Sequence, residues 1–141
     1  MLSISLERET RVNPLIINTD IITSCSGFGH FYKYAPTSFE YAIDRYSMET
    51  KRIMHVLELH LEGKEYICGD EYTIADMAIM PWIRCVDVGY GAGEFLNVAE
   101  YKNVNRWINT LMQREPVKRG LRVNGFASDA VIERHSRKDF D

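Results

Sequence analysis

Residues 69–82 read Gly-Asp-Glu-Tyr-Thr-Ile-Ala-Asp-Met-Ala-Ile-Met-Pro-Trp, and this stretch decides the fold. Thr73 is followed three residues later by Asp76, a spacing typical of a capping box at the start of a helix. The Thr73 hydroxyl would accept the N–H of Asp76, and the Asp76 carboxylate would accept the N–H of Thr73. The sequence therefore predicts a helix that begins after Thr73 and gains about 1 kcal/mol from its cap.

The predicted helix is apolar on nearly every side. Between Ile74 and Ile83 the only charged residue is Asp76, and a helix that is apolar all round is normally buried. Pro81 cannot donate to the carbonyl of Met77, so we expect a kink there. We therefore predict an all-α bundle in which this helix is central and other helices pack around it. The alternative is an ordinary capped helix in any α-rich domain, since such caps are common.

Length and composition indicate a single globular domain. The chain has 141 residues, of which 45% are hydrophobic and 26% charged, values usual for a domain with a sizeable core. A net charge of −3 argues against binding to nucleic-acid phosphates, which needs a concentrated basic face. No apolar run approaches the ~20 residues that span a bilayer, and the N-terminus lacks the features of a signal peptide. We therefore expect no nucleic-acid partner and no membrane partner.

Cysteine and histidine spacing gives no support for a metal site. The three cysteines, Cys25, Cys68 and Cys85, are odd in number and form no CxxC pair, so neither a disulfide framework nor a zinc site is indicated. His55 and His60 are five residues apart and do not share a helix face, as a zinc-binding pair four apart would. We expect no metal and a cytoplasmic location, where thiols stay reduced.

The longest helical pattern covers Thr37–Glu62, where apolar or small residues recur every three or four positions. Pro36 suits the start of this helix, and Gly63 suits the residue just past its end. Before it, a short helix is predicted around Leu15–Thr23, although the β-branched residues there also allow a strand. Charged residues on the long helix, including Arg45, lie off the apolar stripe and are ordinarily solvated.

Two shorter helices are predicted near the end of the chain. Apolar residues from Val104 to Met112 mark one helix face, and that helix ends before Pro116. A short helix over Val117–Leu121 follows, with Pro116 at its first position. The region also holds a basic cluster, which we interpret as solvated, with an anion site as the alternative: Arg114, Lys118, Arg119 and Arg122.

A ring-rich segment, Gly27–Pro36, lies between the first two predicted helices. It combines two glycines with five aromatic or imidazole rings within seven residues. It is not a phosphate-binding loop, because the strand context and the full glycine spacing are missing. One interpretation is a loop whose rings pack on the bundle. The other is an aromatic wall beside a small-molecule cleft, where tyrosine hydroxyls and His30 hydrogen-bond a ligand.

Several separated motifs resemble the C-terminal domain of cytosolic glutathione transferases, and some of them more narrowly resemble the bacterial Nu class. Members of that class are glutathione-dependent disulfide-bond reductases. The motifs shared with the whole family are Gly69–Ala78 followed by Pro81-Trp82, then Tyr101–Trp107 and Arg114–Gly120. The motifs similar to the Nu class are Gly27–Pro36, Glu40–Arg45 and the tail Glu133-Arg134-His135.

The resemblance implies a helical bundle of the glutathione S-transferase C-terminal type over residues 27–141, after an atypical segment over residues 1–26. It also implies a cleft for glutathione or glutathione disulfide, shared with a thioredoxin-like domain, and a homodimer. In the Nu class, a basic residue on the long helix contacts glutathione, and that residue falls on Arg45. A guanidinium suits the role because it binds carboxylates bidentately. Tyr34 and His30 are the further candidates for glutathione binding.

The resemblance further implies that this chain is incomplete as an enzyme. The thioredoxin-like domain, which holds the glutathione thiol, would have to precede Gly27, where only 26 residues are present. We therefore expect no catalytic residue here, and little or no transferase or reductase activity from this chain alone. One alternative is a helical interaction or dimerisation module without catalysis, in which an exposed apolar patch drives association. Another is a ligand-sensing helical regulator, although no basic recognition helix supports it.

Overall fold

A computed structural model of the chain describes residues 14–123, with side chains from residue 20 onward. In this part of the chain the α-helices are α1 Pro14–Gly29, α2 Glu40–His60, α3 Ile74–Arg84, α4 Lys102–Met112 and α5 Glu115–Arg122. Two π-helical turns, His30–Tyr34 and Cys85–Gly89, continue α1 and α3, and a 3₁₀ turn, Val98–Glu100, precedes α4. Residues 14–123 contain no β-strand, so the all-α prediction is confirmed.

The chain divides into two compact units, Met1–Trp107 and Ile108–Asp141. In the first unit, α1 packs against both α2 and α3. In the second, α5 has no buried residue, and Lys118 pairs with Glu115 one turn earlier, at 2.8 Å. None of the helices between residues 14 and 123 is both long and apolar enough to cross a membrane. The largest fully buried side chains of the first unit are Trp107, Phe28, Ile21, Met54, Leu57, Leu61, Ile67, Ile79, Ile83, Leu96 and Val86.

The start of α3 carries the predicted capping box, and its carboxylate does more than cap. Asp76 is fully buried, and its Oδ2 accepts the N–H of Thr73 at 2.9 Å. The Thr73 Oγ1 accepts the N–H of Ala75 at 3.3 Å. Asp76 Oδ1 also accepts the N–H of Ile67 at 3.0 Å and the indole N–H of Trp107 at 2.8 Å. One carboxylate therefore ties together α3, the loop before it and α4.

Burial of α3 is one-sided, which corrects the expectation that this helix is enclosed all round. Its buried face consists of Asp76, Ile79, Met80 and Ile83. Ile74 is 80% exposed and Met77 is 53% exposed. Helix α1 packs against α3, and Trp107 of α4 donates to Asp76 on its buried face. The helix runs through Pro81 to Arg84 and continues into the second π-helical turn; the bend at Pro81 stays a prediction.

The predicted loop over Gly27–Pro36 is wrong, because helix α1 runs on to Gly29 and the first π-helical turn follows directly. The boundary proposed between residues 26 and 27 falls inside this helix. Both glycines serve close packing rather than a bend. A Cβ at Gly27 would lie 2.4 Å from the Tyr46 ring, and a Cβ at Gly29 would lie 2.1 Å from the Tyr90 ring.

Side chains of α2 and α4 each hydrogen-bond backbone groups at an end of the other helix. The two carboxylate oxygens of Glu58 accept the N–H groups of Asn103 and Val104, both at 3.0 Å. In the other direction, Arg106 donates to the carbonyl of Leu61, just past the end of α2, at 3.0 Å. Helix ends leave such groups without intrahelical partners, so this exchange fixes where α4 sits along α2.

We expect Asp76→Ala to destabilise the fold much more than Thr73→Ala. Loss of the Thr73 hydroxyl removes one cap interaction, at a cost of about 1 kcal/mol. Loss of the Asp76 carboxylate leaves three N–H donors unpaired, and each such loss costs about 1–3 kcal/mol, so a fall of about 4 kcal/mol is expected. Urea unfolding measures both values. Equal losses in the two variants would show that Asp76 acts only as a cap.

Two glycine substitutions should change the stability of the fold in opposite directions. Gly29→Ala places a Cβ inside the Tyr90 ring, and overpacking of this kind costs about 2 kcal/mol. Gly120→Ala, in α5, meets nothing within 4 Å and should stabilise by about 0.5–1 kcal/mol, since alanine favours the helix. Thermal unfolding of the two variants checks this prediction. A stabilising Gly29→Ala would contradict the close approach of Tyr90.

Candidate functional site

A stack of aromatic rings fixes the junction between α1 and the first π-helical turn. The buried Phe28 ring stacks on Tyr32 at 4.9 Å and on Phe95 at 6.2 Å, and Tyr32 lies 5.1 Å from Phe95. The Tyr90 ring meets Phe28 edge-on at 6.3 Å. Aromatic pairs at such distances add about 0.5–1.5 kcal/mol beyond area burial. These contacts of Phe28, Tyr32 and Phe95 therefore anchor the turn that carries His30 and Tyr34.

The predicted site residues His30 and Tyr34 both lie on the surface of this turn. The His30 ring is exposed and meets Phe31 edge-on at 5.0 Å. Tyr34 is 62% exposed and lies 6.2 Å from the Tyr90 ring. Between them, the Lys33 ammonium donates to the carbonyl of Gly89 and lies 5.8 Å from the centre of the Tyr34 ring. The turn thus presents an imidazole, a phenol and a cation to solvent.

The third predicted site residue, Arg45, lies near the start of α2 with an exposed side chain. Its guanidinium pairs with Glu49 one turn later, at 3.5 Å. Glu49 is shared, because the Arg52 Nε donates to it at 3.0 Å. The hydrogen bond from Arg52, together with the charges of both guanidiniums, lowers the pKa of the Glu49 carboxyl. An exposed pair of this kind is weak, so a ligand carboxylate can compete with Glu49 for Arg45.

Ring contacts bring the π-helical turn and the start of α2 side by side. Phe31 stacks on Tyr46 at 5.5 Å and meets Phe39 edge-on at 6.1 Å. His30 contacts one side of Phe31, and Arg45 precedes Tyr46 in sequence. Within residues 20–123, no hydrogen bond, ion pair or ring contact joins His30, Tyr34 and Arg45 to one another directly. The three lie on two elements that are in contact, the π-helical turn and α2, but they do not form a connected cluster.

A thiol–phenol group that the sequence did not indicate lies behind this surface. Cys25 of α1 is fully buried, and burial, with a smaller effect of Cys85, raises the pKa of its thiol to about 12. Burial, followed by a hydrogen bond with Cys85, raises the pKa of the Tyr90 phenol. At neutral pH both groups are protonated, so Cys25 cannot serve as a nucleophile.

The signal for this group in the sequence is a glycine four residues after each cysteine. Gly29 follows Cys25 and admits the Tyr90 ring, while a Cβ at Gly89 would lie 2.3 Å from the Cys85 sulfur. This spacing identifies the thiol–phenol group only once the structure shows which side chains lie against the two glycines. In the described part of the chain, no three His, Cys, Asp or Glu side chains are grouped to hold a metal; absence of a metal stays a prediction.

The raised pKa of Cys25 predicts a loss of stability in alkali. Because the folded thiol holds its proton to about pH 12 and an exposed thiol only to about 9.0, the folded chain binds more protons between these values. Stability is therefore intact below pH 9 and falls above it, by about 1.4 kcal/mol per pH unit from this group.

Urea unfolding at pH 9–10.5 measures this slope. Cys25→Ala should make the decline shallower by that amount. Cys68→Ala, which removes an exposed thiol, is the matched control and should leave the slope as in the unsubstituted chain. Identical slopes for the chain and for Cys25→Ala would contradict the burial of a protonated thiol.

Comparison with protein families identifies the domain type. A family model described as glutathione S-transferase, C-terminal domain, matches residues 16–115. The disulfide-bond oxidoreductase YghU of Escherichia coli strain K12 is 49% identical over 120 residues, which cover 82% of this chain and 42% of that protein. The predicted resemblance to disulfide-bond reductases of the glutathione transferase family is thereby confirmed.

Solved structures show the same helical fold. The glutathione transferase YghU from Streptococcus pneumoniae, crystallised with glutathione, is 39% identical with a TM-score of 0.71, covering 84% of this chain and 47% of that one. A glutathione transferase from Pseudomonas putida, with one glutathione disulfide per subunit, is 31% identical with a TM-score of 0.73, covering 82% of this chain and 51% of that one. The chain spans about half the length of these relatives.

Proposed function

Because the chain belongs to the glutathione S-transferase family through its C-terminal domain, we propose that it forms the helical half of a glutathione-binding cleft in a disulfide-bond oxidoreductase. Its ligand is glutathione or glutathione disulfide, as in the crystallised relatives from Streptococcus pneumoniae and Pseudomonas putida. The protein acts in the cytoplasm, as a homodimer and without a metal.

The exposed guanidinium of Arg45 is the observation that supports this proposal most directly. Glutathione carries carboxylates at neutral pH, and a guanidinium binds a carboxylate through two parallel N–H···O bonds. Among the residues that the structure describes, the Arg45 guanidinium is held by a surface pair with Glu49, and exchange of that partner for a ligand carboxylate costs little. The anchored turn beside it adds the Tyr34 hydroxyl and the His30 imidazole, both exposed, as hydrogen-bonding groups.

The chemistry of disulfide reduction is assigned to another part of the complete enzyme. A glutathione thiolate attacks one sulfur of the substrate disulfide, a mixed disulfide forms, and the other sulfur leaves as a thiolate that takes up a proton. Activation of the glutathione thiol requires that its pKa be lowered. Cys25 of this chain cannot act in place of glutathione, because the pKa of its own thiol is raised. The helical chain therefore binds and orients glutathione, and the thiol-activating group lies in a thioredoxin-like domain.

A second function, an interaction module without catalysis, is supported by the exposed apolar residues of α3. Ile74 and Met77 lie on one side of that helix and face solvent, and exposed apolar patches commonly mark protein contacts. On this alternative, the chain serves as a docking platform and binds neither form of glutathione.

Titration of glutathione and of glutathione disulfide into the chain, followed by calorimetry or NMR, separates the two functions. We expect weak binding that Arg45→Ala reduces about tenfold, the size of a charged hydrogen bond. Arg45→Lys should fall in between, because lysine cannot bind a carboxylate bidentately.

Arg52→Ala is the matched control, since Arg52 is exposed on the same helix and pairs with the same Glu49. It should leave the affinity nearly unchanged. Unaltered binding in Arg45→Ala would show that the site lies elsewhere, and no binding of either ligand by the unsubstituted chain would favour the interaction module.

A further inference from the structure

The first π-helical turn carries three polar side chains on one face. Residues three and four apart on a helix are neighbours, and Lys33 and Tyr34 follow His30 at these intervals. All three side chains are exposed. We call this surface the Lys33 face, and it consists of His30, Lys33 and Tyr34. It brings an ammonium, a phenol and an imidazole together without an acidic side chain among them.

The Lys33 ammonium is held in place without being neutralised. It donates to the carbonyl of Gly89 and lies 5.8 Å from the centre of the Tyr34 ring. Lys33 takes part in none of the ion pairs between residues 20 and 123, whereas Lys118 pairs with Glu115. An ammonium has three N–H donors, so the bond to Gly89 leaves two for a ligand. Ordering a lysine side chain costs rotamer entropy, and the bond to Gly89 has already restricted this one.

The chemistry of the Lys33 face suits a carboxylate. Hydrogen bonds from a charged donor to a carboxylate are about twice as strong as neutral ones. Beside the ammonium, the Tyr34 hydroxyl and a ring N–H of His30 are further donors. The ring stack of the buried Phe28 anchors the turn that carries all three. A carboxylate would therefore meet donors that are already positioned, which lowers the entropic cost of binding it.

Arg45, the cation already assigned to glutathione, belongs to α2, which contacts another side of this turn. That contact is made by Phe31, whose ring stacks on Tyr46, the residue after Arg45. Lys33 follows Phe31 by two residues, and residues two apart on a helix do not face each other. The Lys33 ammonium reaches Gly89 of the second π-helical turn instead. Two cations therefore flank the turn, one on the side of α2 and one on the side of the second π-helical turn.

We propose that the Lys33 face binds a carboxylate of one glutathionyl unit while Arg45 binds a carboxylate of the other, so that the chain prefers glutathione disulfide to glutathione. This rests on the proposed glutathione-binding function and adds Lys33 as a residue that determines its specificity. A ligand that reaches both cations must cross the turn, and a helix with its side chains is about 10–12 Å wide. Glutathione is a tripeptide, which spans at most about 11 Å. The disulfide is about twice as long and carries carboxylates on both units.

Calorimetric titration of glutathione and of glutathione disulfide into the chain tests the Lys33 face. Lys33→Gln should weaken binding of the disulfide about tenfold, as for loss of a charged hydrogen bond, and leave the affinity for glutathione nearly unchanged. Lys33→Arg should keep most of the preference for the disulfide, because it keeps the charge. Lys102→Gln is the matched control: it removes an exposed lysine at the start of α4 and should leave both affinities nearly unchanged.

An esterified ligand distinguishes contact with a carboxylate from an effect of Lys33 on the fold. Glutathione disulfide with all its carboxylates converted to ethyl esters offers Lys33 no negative charge. It should bind the unsubstituted chain and Lys33→Gln equally weakly. Stronger binding of the ester to the unsubstituted chain than to Lys33→Gln would show that Lys33 does not act through a carboxylate. Circular dichroism checks that every variant folds.

The outcomes separate this proposal from the glutathione-binding function. If Lys33→Gln leaves the preference for glutathione disulfide unchanged, or weakens both ligands equally, the assignment of Lys33 is wrong. It is also wrong if the unsubstituted chain binds glutathione at least as tightly as the disulfide. In each of these cases the effect of Arg45→Ala still tests the glutathione-binding function by itself. If neither ligand binds the unsubstituted chain, that function fails and the assignment of Lys33 fails with it.

Discussion

A buried carboxylate is expensive unless every oxygen is hydrogen-bonded, and this constraint organises the fold around Asp76. Its two oxygens take N–H groups from Thr73, Ile67 and Trp107. These donors belong to the cap of α3, to the loop before it and to α4. If any of the three segments were displaced, the buried carboxylate would lose one of its N–H donors. The native arrangement is therefore selected as much by the cost of the alternatives as by the strength of these hydrogen bonds.

The need to pair polar groups also determines how the ends of α2 and α4 meet. Glu58 accepts the first amides of α4, and Arg106 donates to the carbonyl past the end of α2. A negative charge at a helix N-terminus and a positive charge at a C-terminus also interact favourably with the helix dipole. Each helix thus supplies the charge that the other needs, so the relative shift of α2 and α4 is fixed by polar groups while apolar burial supplies the bulk of the stability.

Local signals in the sequence predicted the helical fold and the cap, whereas contacts between segments distant in sequence could not be predicted from it. Thr73 and Asp76 are three residues apart, so their pairing is visible in sequence. The bond from Trp107 to Asp76 spans 31 positions and has no local signature. Gly27 and Gly29 misled for the same reason: a glycine that admits a distant ring looks in sequence like one that allows a turn. Arg45 was singled out by the family resemblance, since nothing in its own spacing distinguishes it from a solvated charge.

Helices α2 and α3 each bury one face and expose the opposite one. Helix α2 uses one face for the core, through Ile53 and Leu57, and leaves the opposite face to a regular series of apolar and cationic side chains. Helix α3 likewise buries Ile79 and exposes Ile74. An apolar side chain left in water gives up about 1.5–3 kcal/mol of burial energy, a loss recovered only by another surface.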